Sequence, residues 1–307
     1  MKFPSEGLWR AYLALAFGVI CIGTSAIFVK IANLPGLVSA FYRVLIAATA
    51  LLLLYLFRGE KHLPSPSDWG WVVLGSLFFA LDLALWNTSI LLTSAAVSTL
   101  LANNSPIWVG LGTMLIFGEK LSQKYWPGLA VALSGMILIV GGRAVQELRF
   151  NSGDLLAIAT SFCYAGYMLV TQKARGRMDT VTLNTFTMLI CTLLLLPANL
   201  LSSQILTGFS LNTWLALIGL GLVPQFAGWL VINYAIGHLP AAHVSVTLLG
   251  QVLVTAILGF LLLSESPSPA DIIGGVLVLA GIYLVNQRGQ IREKLSESKK
   301  SLVGEAG

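Results

Sequence analysis

From residue 11 to residue 287 the chain is a succession of apolar runs, each about the length needed to cross a bilayer, joined by short polar connectors. The runs lie at 11–32, 37–57, 69–91, 95–117, 125–142, 154–174, 183–206, 212–237, 241–263 and 270–287. Lipid offers the backbone no hydrogen-bond partner, so such a segment must satisfy its amides and carbonyls within itself or in a closed barrel. Continuous apolar runs of about 20 residues are helices by this logic. The composition is 56% hydrophobic and only 10% charged, with a mean hydropathy of +0.84, and the longest polar stretches are around 58–68, 143–153 and 175–182. These leave little room for a soluble domain. The expectation is an all-α integral membrane protein of ten transmembrane helices.

The second half repeats the first. Shifting residues 69–143 by 146 places superimposes Gly75 on Gly221, Asn87 on Asn233, Ala95 and Ala96 on Ala241 and Ala242, Glu119 on Glu265, Gly128 on Gly274 and Gly135 on Gly281. An offset of 142 brings Cys21 onto Cys163 and Ala32 onto Ala174, so the first helices of the two halves match as well. Ten helices in two repeats put five in each, and an odd number inserts the halves with opposite orientation. Such inverted repeats can rock against each other and open one central site to either side. The division expected is an N-terminal segment 1–10, a first repeat 11–142, an external linker 143–153, a second repeat 154–287 and a basic tail 288–307. No small-residue cleavage site follows the first run, so helix 1 reads as retained rather than as a signal peptide.

Basic residues set the orientation. With both termini inside, fourteen of the eighteen Lys and Arg fall on inner segments, only Arg143 and Arg149 on outer ones, and Lys30 and Arg43 within spans. Both termini are therefore expected in the cytoplasm, with the protein in the inner (plasma) membrane. The net charge of +5 belongs to this asymmetry and to a tail lying near anionic lipid, and calls for no nucleic-acid partner. Cys21, Cys163 and Cys191 all lie in spans without metal-ligand or redox spacing and read as structural thiols. No metal and no cofactor is expected.

Certain local features are more specific. Phe41-Tyr42-Arg43 early in helix 2, Asn104-Ser105-Pro106 in helix 4, Gly118-Glu119-Lys120-Leu121 and the glycines at 128 and 135 closely resemble the EamA-type repeat of the drug/metabolite transporter superfamily. Leu263-Ser264-Glu265-Ser266 with Gly274 and Gly281 answer in the second half. The pattern departs where Val252 replaces the proline, with Gln251 beside it, and where helix 7 lacks an arginine like Arg43. The resemblance implies a ten-helix secondary transporter of small organic solutes whose cavity is lined mainly by helices 1, 3, 4, 6, 8 and 9. It does not name the solute.

Ionisable residues cost roughly 2.5–3.5 kcal/mol at a helix centre on insertion scales, so those present are weighed singly. Asp82 is the one carboxylate well inside a span, at a depth within about 4–5 Å of Arg43 by helical rise. Two readings stand. Asp82 takes up a proton or a substrate cation while Arg43 tunes it or holds a substrate carboxylate, or the two form a static ion pair between helices 2 and 3. Trp86 shares the face of Asp82. Asn103 and Asn104 sit where Pro106 frees the Ala102 carbonyl, a loosened turn suited to substrate contact or to packing across helices. Gln225, Trp229 and Asn233 on helix 8, and His243, Thr247 and Gln251 on helix 9, follow i, i+4, i+8 spacing and suggest two polar stripes on one wet cavity. Tyr164, Tyr167 and Trp108 are candidate aromatic walls. Glycines at 128, 135, 142, 274 and 281 make a close-packing stripe, at a homodimer face or between the repeats.

An intramembrane enzyme would need a catalytic constellation in the spans, and no His-Glu-x-x-His, Gly-x-Ser-x-Gly or Ser/His/Asp set is present. A channel would show a selectivity ring or filter. The expectation is an alternating-access transporter of a small polar metabolite, first an amino-acid-like solute moved outward with protons. A sugar- or nucleotide-type exchanger or importer of the same fold is the alternative.

Overall fold

The computed structural model describes residues 8–59, 62–93, 95–140, 151–202, 204–263 and 268–304, with only the backbone at 90–91, 95–96, 263 and 288–304. Arg143, Arg149 and Glu265 fall outside the described residues. Ten helical segments follow the ten apolar runs: α1 (Leu8–Ala32), α2 (Gly36–Phe57), α3 (Trp69–Leu92), α4 (Ala95–Ala102 and Ser105–Phe117), α5 (Tyr125–Val140), α6 (Ser152–Arg175), α7 (Thr180–Leu201), α8 (Leu211–Ile236), α9 (Ala241–Leu248 and Gln251–Leu263) and α10 (Pro269–Gly304). Among the described residues, nine are long and apolar enough to cross a membrane by themselves. The 16-residue α5 is shorter. Helix ends carry their own partners: Asn151 and Asp154 form a reciprocal capping box on α6, and the Asp179 carboxylate accepts the Val181 and Thr182 amides of α7.

Helix packing repeats the sequence duplication. The α3–α6 pair is matched by α8–α1, its image when the halves are exchanged, while α2–α7 and α5–α10 are each their own image. The last pair explains the glycine stripe. A Cβ at Gly135 would stand 2.4 Å from the Gly274 carbonyl oxygen, and one at Gly281 would stand 2.5 Å from the Gly128 oxygen. Gly128 thus meets Gly281 and Gly135 meets Gly274, an antiparallel, self-complementary contact between equivalent positions of the two repeats. Of the two placements open to the stripe, the structure takes the one between the repeats.

Four helices are interrupted. α4 breaks at Asn103-Asn104 and α9 at Leu249-Gly250, positions related by the 146-residue offset. Pro106 lies in the first turn of the new piece of α4, where its missing N–H costs nothing. α1 breaks at Thr24, whose hydroxyl donates to the Cys21 carbonyl at 2.7 Å. In α8 the turn widens to a π-helical stretch over Gly221–Gly228 around Pro224. At the end that bears the chain termini, the second piece of α4 packs on the first piece of α9. At the far end, the first piece of α4 and the second piece of α9 show no comparable packing among the described residues. The bundle is therefore closed at the termini end and splayed at the other. Gly135→Val will force backbone apart across the α5–α10 seam and cost about 1–3 kcal/mol, read as a lowered midpoint of thermal unfolding in detergent.

Candidate functional site

Polar side chains collect at the waist, where α4 and α9 are broken. Asn103 Nδ2 donates to the Thr99 carbonyl at 2.9 Å, and its Oδ1 accepts from Gln251 Nε2 at 3.2 Å. One hydrogen bond thus joins the two interruptions, one from each repeat. Asn104 turns back on its own helix, donating to the Leu100 and Leu101 carbonyls at 3.1 and 3.2 Å. It satisfies carbonyls that the break would otherwise strand.

The stripe expected on helix 9 is corrected by the break at Leu249-Gly250. Thr247 donates to the His243 carbonyl at 2.9 Å and accepts from Asn286 of α10 at 3.1 Å, whereas Gln251 reaches α4. On helix 8, Gln225, Trp229 and Asn233 all stay buried in the bundle: Gln225 and Asn233 reach Met188 and Asn184, one turn apart on α7, and Trp229 shares Tyr167 with Asn233.

Arg43 and Asp82 do not form an ion pair in this arrangement. Arg43 Nε donates to the fully buried Gln225 Oε1 at 2.8 Å, and Nη2 donates to Ser25 Oγ at 3.2 Å. Gln225 Nε2 points on to the Met188 sulfur at 3.3 Å. The guanidinium therefore links α2 to the π turn of α8 and to the first turn after the break in α1. Asp82 is half-buried on α3 and faces the bundle interior, where Arg43, Cys163, Tyr164, Tyr167 and Cys191 lie within its electrostatic reach. Among the described residues it forms no salt bridge. Trp86 is half-buried one turn further toward the far end.

Below the waist, toward the termini end, lies an aromatic floor. The Trp229 ring, 4% exposed, stands edge-on to Phe79 at 5.2 Å, Tyr167 at 5.3 Å and Tyr164 at 5.8 Å, and Phe79 lies 4.6 Å from Tyr167. A polar lock underlies it. Asn233 Nδ2 donates to the Tyr167 hydroxyl at 2.7 Å and to Asn184 Oδ1 at 2.8 Å, and its own carbonyl accepts from Arg175 Nε at 3.1 Å. Trp108 is not part of the floor, since its Nε1 donates to Ser161 at 2.8 Å and its ring stacks on Phe162 at 3.8 Å, tying α4 to α6. Phe79, Ser25 and Asn184 were not singled out by sequence. The repeat register contained a signal for two of them, since Phe79 superimposes on Gln225 and Ser25 on Tyr167.

At the termini end, two ion pairs among the described residues cross between the repeats. Arg58 bonds Asp179 at 2.6 Å, and Arg177 bonds Asp68 at 2.5 Å and Ser67 Oγ at 3.0 Å. A cleft of about 490 Å³ opens beside the first pair, walled by Leu230, Val231 and Tyr234. Hydrogen bonds from Ser65 and Arg177 hold the Asp68 carboxyl below its ordinary range. Partial burial opposes the Asp179 charge, but bonds from Arg58 and Thr182 more than offset it and lower that carboxyl too.

Two matches decide the family: the EamA-like transporter family model fits residues 9–141 and again 151–287. The chain belongs to the EamA-like transporter family. An uncharacterized transporter of Archaeoglobus fulgidus is 29% identical over 91% of this chain and 98% of its own length. A protein of Streptantibioticus cattleyicolor named "probable terminal-alkyne amino-acid exporter" is 27% identical over 67% of this chain and 69% of its own. A pseudopaline exporter of Pseudomonas aeruginosa is 26% identical over 83% and 88%. One solved crystal structure, 19% identical, shares the fold with a TM-score of 0.81 over 92% of this chain and 99% of that one. The protein is thus an integral membrane transporter of the drug/metabolite type, not an enzyme, built as two inverted five-helix repeats.

Both termini-end carboxylates titrate below their unfolded value of about 3.9. Their stabilisation is fully present above that pH and is lost as pH falls through the lowered folded values. Asp179→Asn and Asp68→Asn will therefore lower the thermal midpoint at pH 7 and flatten its fall on acidification, read from melting curves taken between pH 3 and pH 7.

Proposed function

We propose that this EamA-family protein exports a small zwitterionic, amino-acid-like solute across the plasma membrane by alternating access, with both chain termini in the cytoplasm. The observation that carries the reading is the Asp82 carboxylate, set in the bundle interior without an ion-pair partner among the described residues, with Arg43 and an aromatic wall nearby. An ammonium group suits Asp82, a carboxylate suits the Arg43 guanidinium, and the face of Tyr164 or Trp229 suits the rest of the solute. Asn103, Asn104 and Gln251 line the broken waist, where loosened backbone meets substrate in transporters. Thr247 and Asn233 belong to the supporting bonds around it. Relatives named as exporters of an amino acid and of pseudopaline favour this solute class and direction.

In the same reading a proton competes with the ammonium group for Asp82, which couples solute movement to the proton gradient. Thermal stabilisation of the purified protein across amino acids, amines, carboxylates, sugars and nucleosides tests the solute class. A binder at a hundredfold excess over its Kd adds about 2.7 kcal/mol, and the gain will be confined to zwitterions and absent in Asp82→Asn. Stabilisation by sugars or nucleotides alone would transfer the reading to that class. Coupling is checked in proteoliposomes, where Asp82→Asn will abolish the pH dependence of solute flux; an unaltered pH profile refutes proton transfer at Asp82.

A further inference from the structure

The two repeats place different chemistry at equivalent positions. Under the offsets that align the halves, Phe79 corresponds to Gln225, Tyr167 to Ser25 and Trp229 to Leu83. Phe79, Tyr167 and Trp229 are the floor that closes the termini end. Their counterparts toward the far end are an amide, a small hydroxyl and a leucine, which form no such ring cluster. The amide and the hydroxyl are the two groups that hold Arg43. The far end is also where the pieces of α4 and α9 stand apart.

We infer that Gln225 and Ser25 are positioning residues that hold the Arg43 guanidinium off Asp82 while the far end is open, and that Arg43 closes that end by exchanging them for the Asp82 carboxylate. The geometry supplies the route. Nε is engaged by Gln225 and one Nη2 bond by Ser25, so release of the Gln225 amide frees the fork for a carboxylate. Gln225 sits in the π turn of α8 and Ser25 just beyond the break in α1, the segments of that helix pair in which the backbone is least regular. Straightening either turn moves the group that holds the guanidinium. The other titratable groups within electrostatic reach of Asp82 are Cys163, Tyr164 and Tyr167 of α6 and Cys191 of α7, none of which carries a compensating positive charge. A proton or a substrate ammonium on Asp82 then competes directly with Arg43, and the far end stays open for as long as either is bound.

The inference rests on the transport reading for its purpose but is tested without any solute. Spin labels at Ile31→Cys and Leu92→Cys, both half exposed near the far end of α1 and α3, go into the full chain with Cys21, Cys163 and Cys191 replaced by alanine. Double electron–electron resonance in lipid nanodiscs then reads the far-end separation as pH is varied. A short-distance population will grow as pH rises. Gln225→Ala, which removes one charge-assisted bond, will raise its ratio to the long-distance population roughly tenfold, and Gln225→Glu, which grips Arg43 harder, will lower it by a similar factor. Adding Asp82→Asn will remove both the pH response and the effect of Gln225→Ala. A ratio unmoved by both Gln225 variants, or a Gln225→Ala effect that survives Asp82→Asn, overturns the partner exchange. Gln225→Glu keeps the size and shape of the side chain, so the test stands even if the alanine variant folds poorly. A protein that shows the exchange yet binds no zwitterion would lose the solute assignment and keep the gate.

Discussion

Lipid cannot hydrogen-bond, and the architecture around the waist follows from how this chain answers that constraint at its own interruptions. Every break strands amides or carbonyls that need a partner, and side chains at the breaks take up that role, Asn103 with a second bond across the bundle. Thr24 serves the break in α1, Asn103 and Asn104 that in α4, and Gln251 reaches from the break in α9 to Asn103. The π turn of α8 carries Gln225, which holds an arginine from α2. Satisfying the backbone and assembling a polar site are therefore one operation.

Magnitudes separate the two buried charges. Placing Arg43 deep in a span costs about 2.5–3.5 kcal/mol on insertion scales. A hydrogen bond to a charged group contributes about 1.5–3 kcal/mol, so the bonds to Gln225 and Ser25 are enough to offset that cost. Among the described residues Asp82 has no such arrangement, which makes it the charge the fold leaves unsettled. Sequence reasoning placed both residues at similar depth and allowed them to pair, but helical rise fixes depth and not rotation. The partner that won, Gln225, is neutral and belongs to the other repeat.

Much else was legible. Apolar runs located the spans, the 146-residue register exposed the duplication, and Pro106 pointed to the loosened turn of α4 where the helix breaks. The break in α9 has no proline of its own and is visible only by projecting Asn103-Asn104 onto Leu249-Gly250 through the repeat. The widened turn at Gly221–Gly228 was hidden because Pro224 announces a lost hydrogen bond without saying whether the helix kinks or takes in an extra residue. No local propensity encodes that choice.

The contacts that join the two repeats at the two ends are made of different materials. Among the described residues, the termini end is bridged by ion pairs with Arg58 and Arg177 partly in solvent, whereas the far end is joined by Tyr42 and its edge contacts with Phe209 and Trp214 and by the Thr213 hydroxyl on the Ala32 carbonyl. Ions screen exposed charges over a Debye length of about 8 Å at physiological strength and leave aromatic packing untouched. Salt therefore weakens the ion pairs at the termini end, while the Tyr42 ring contacts at the other end keep their strength.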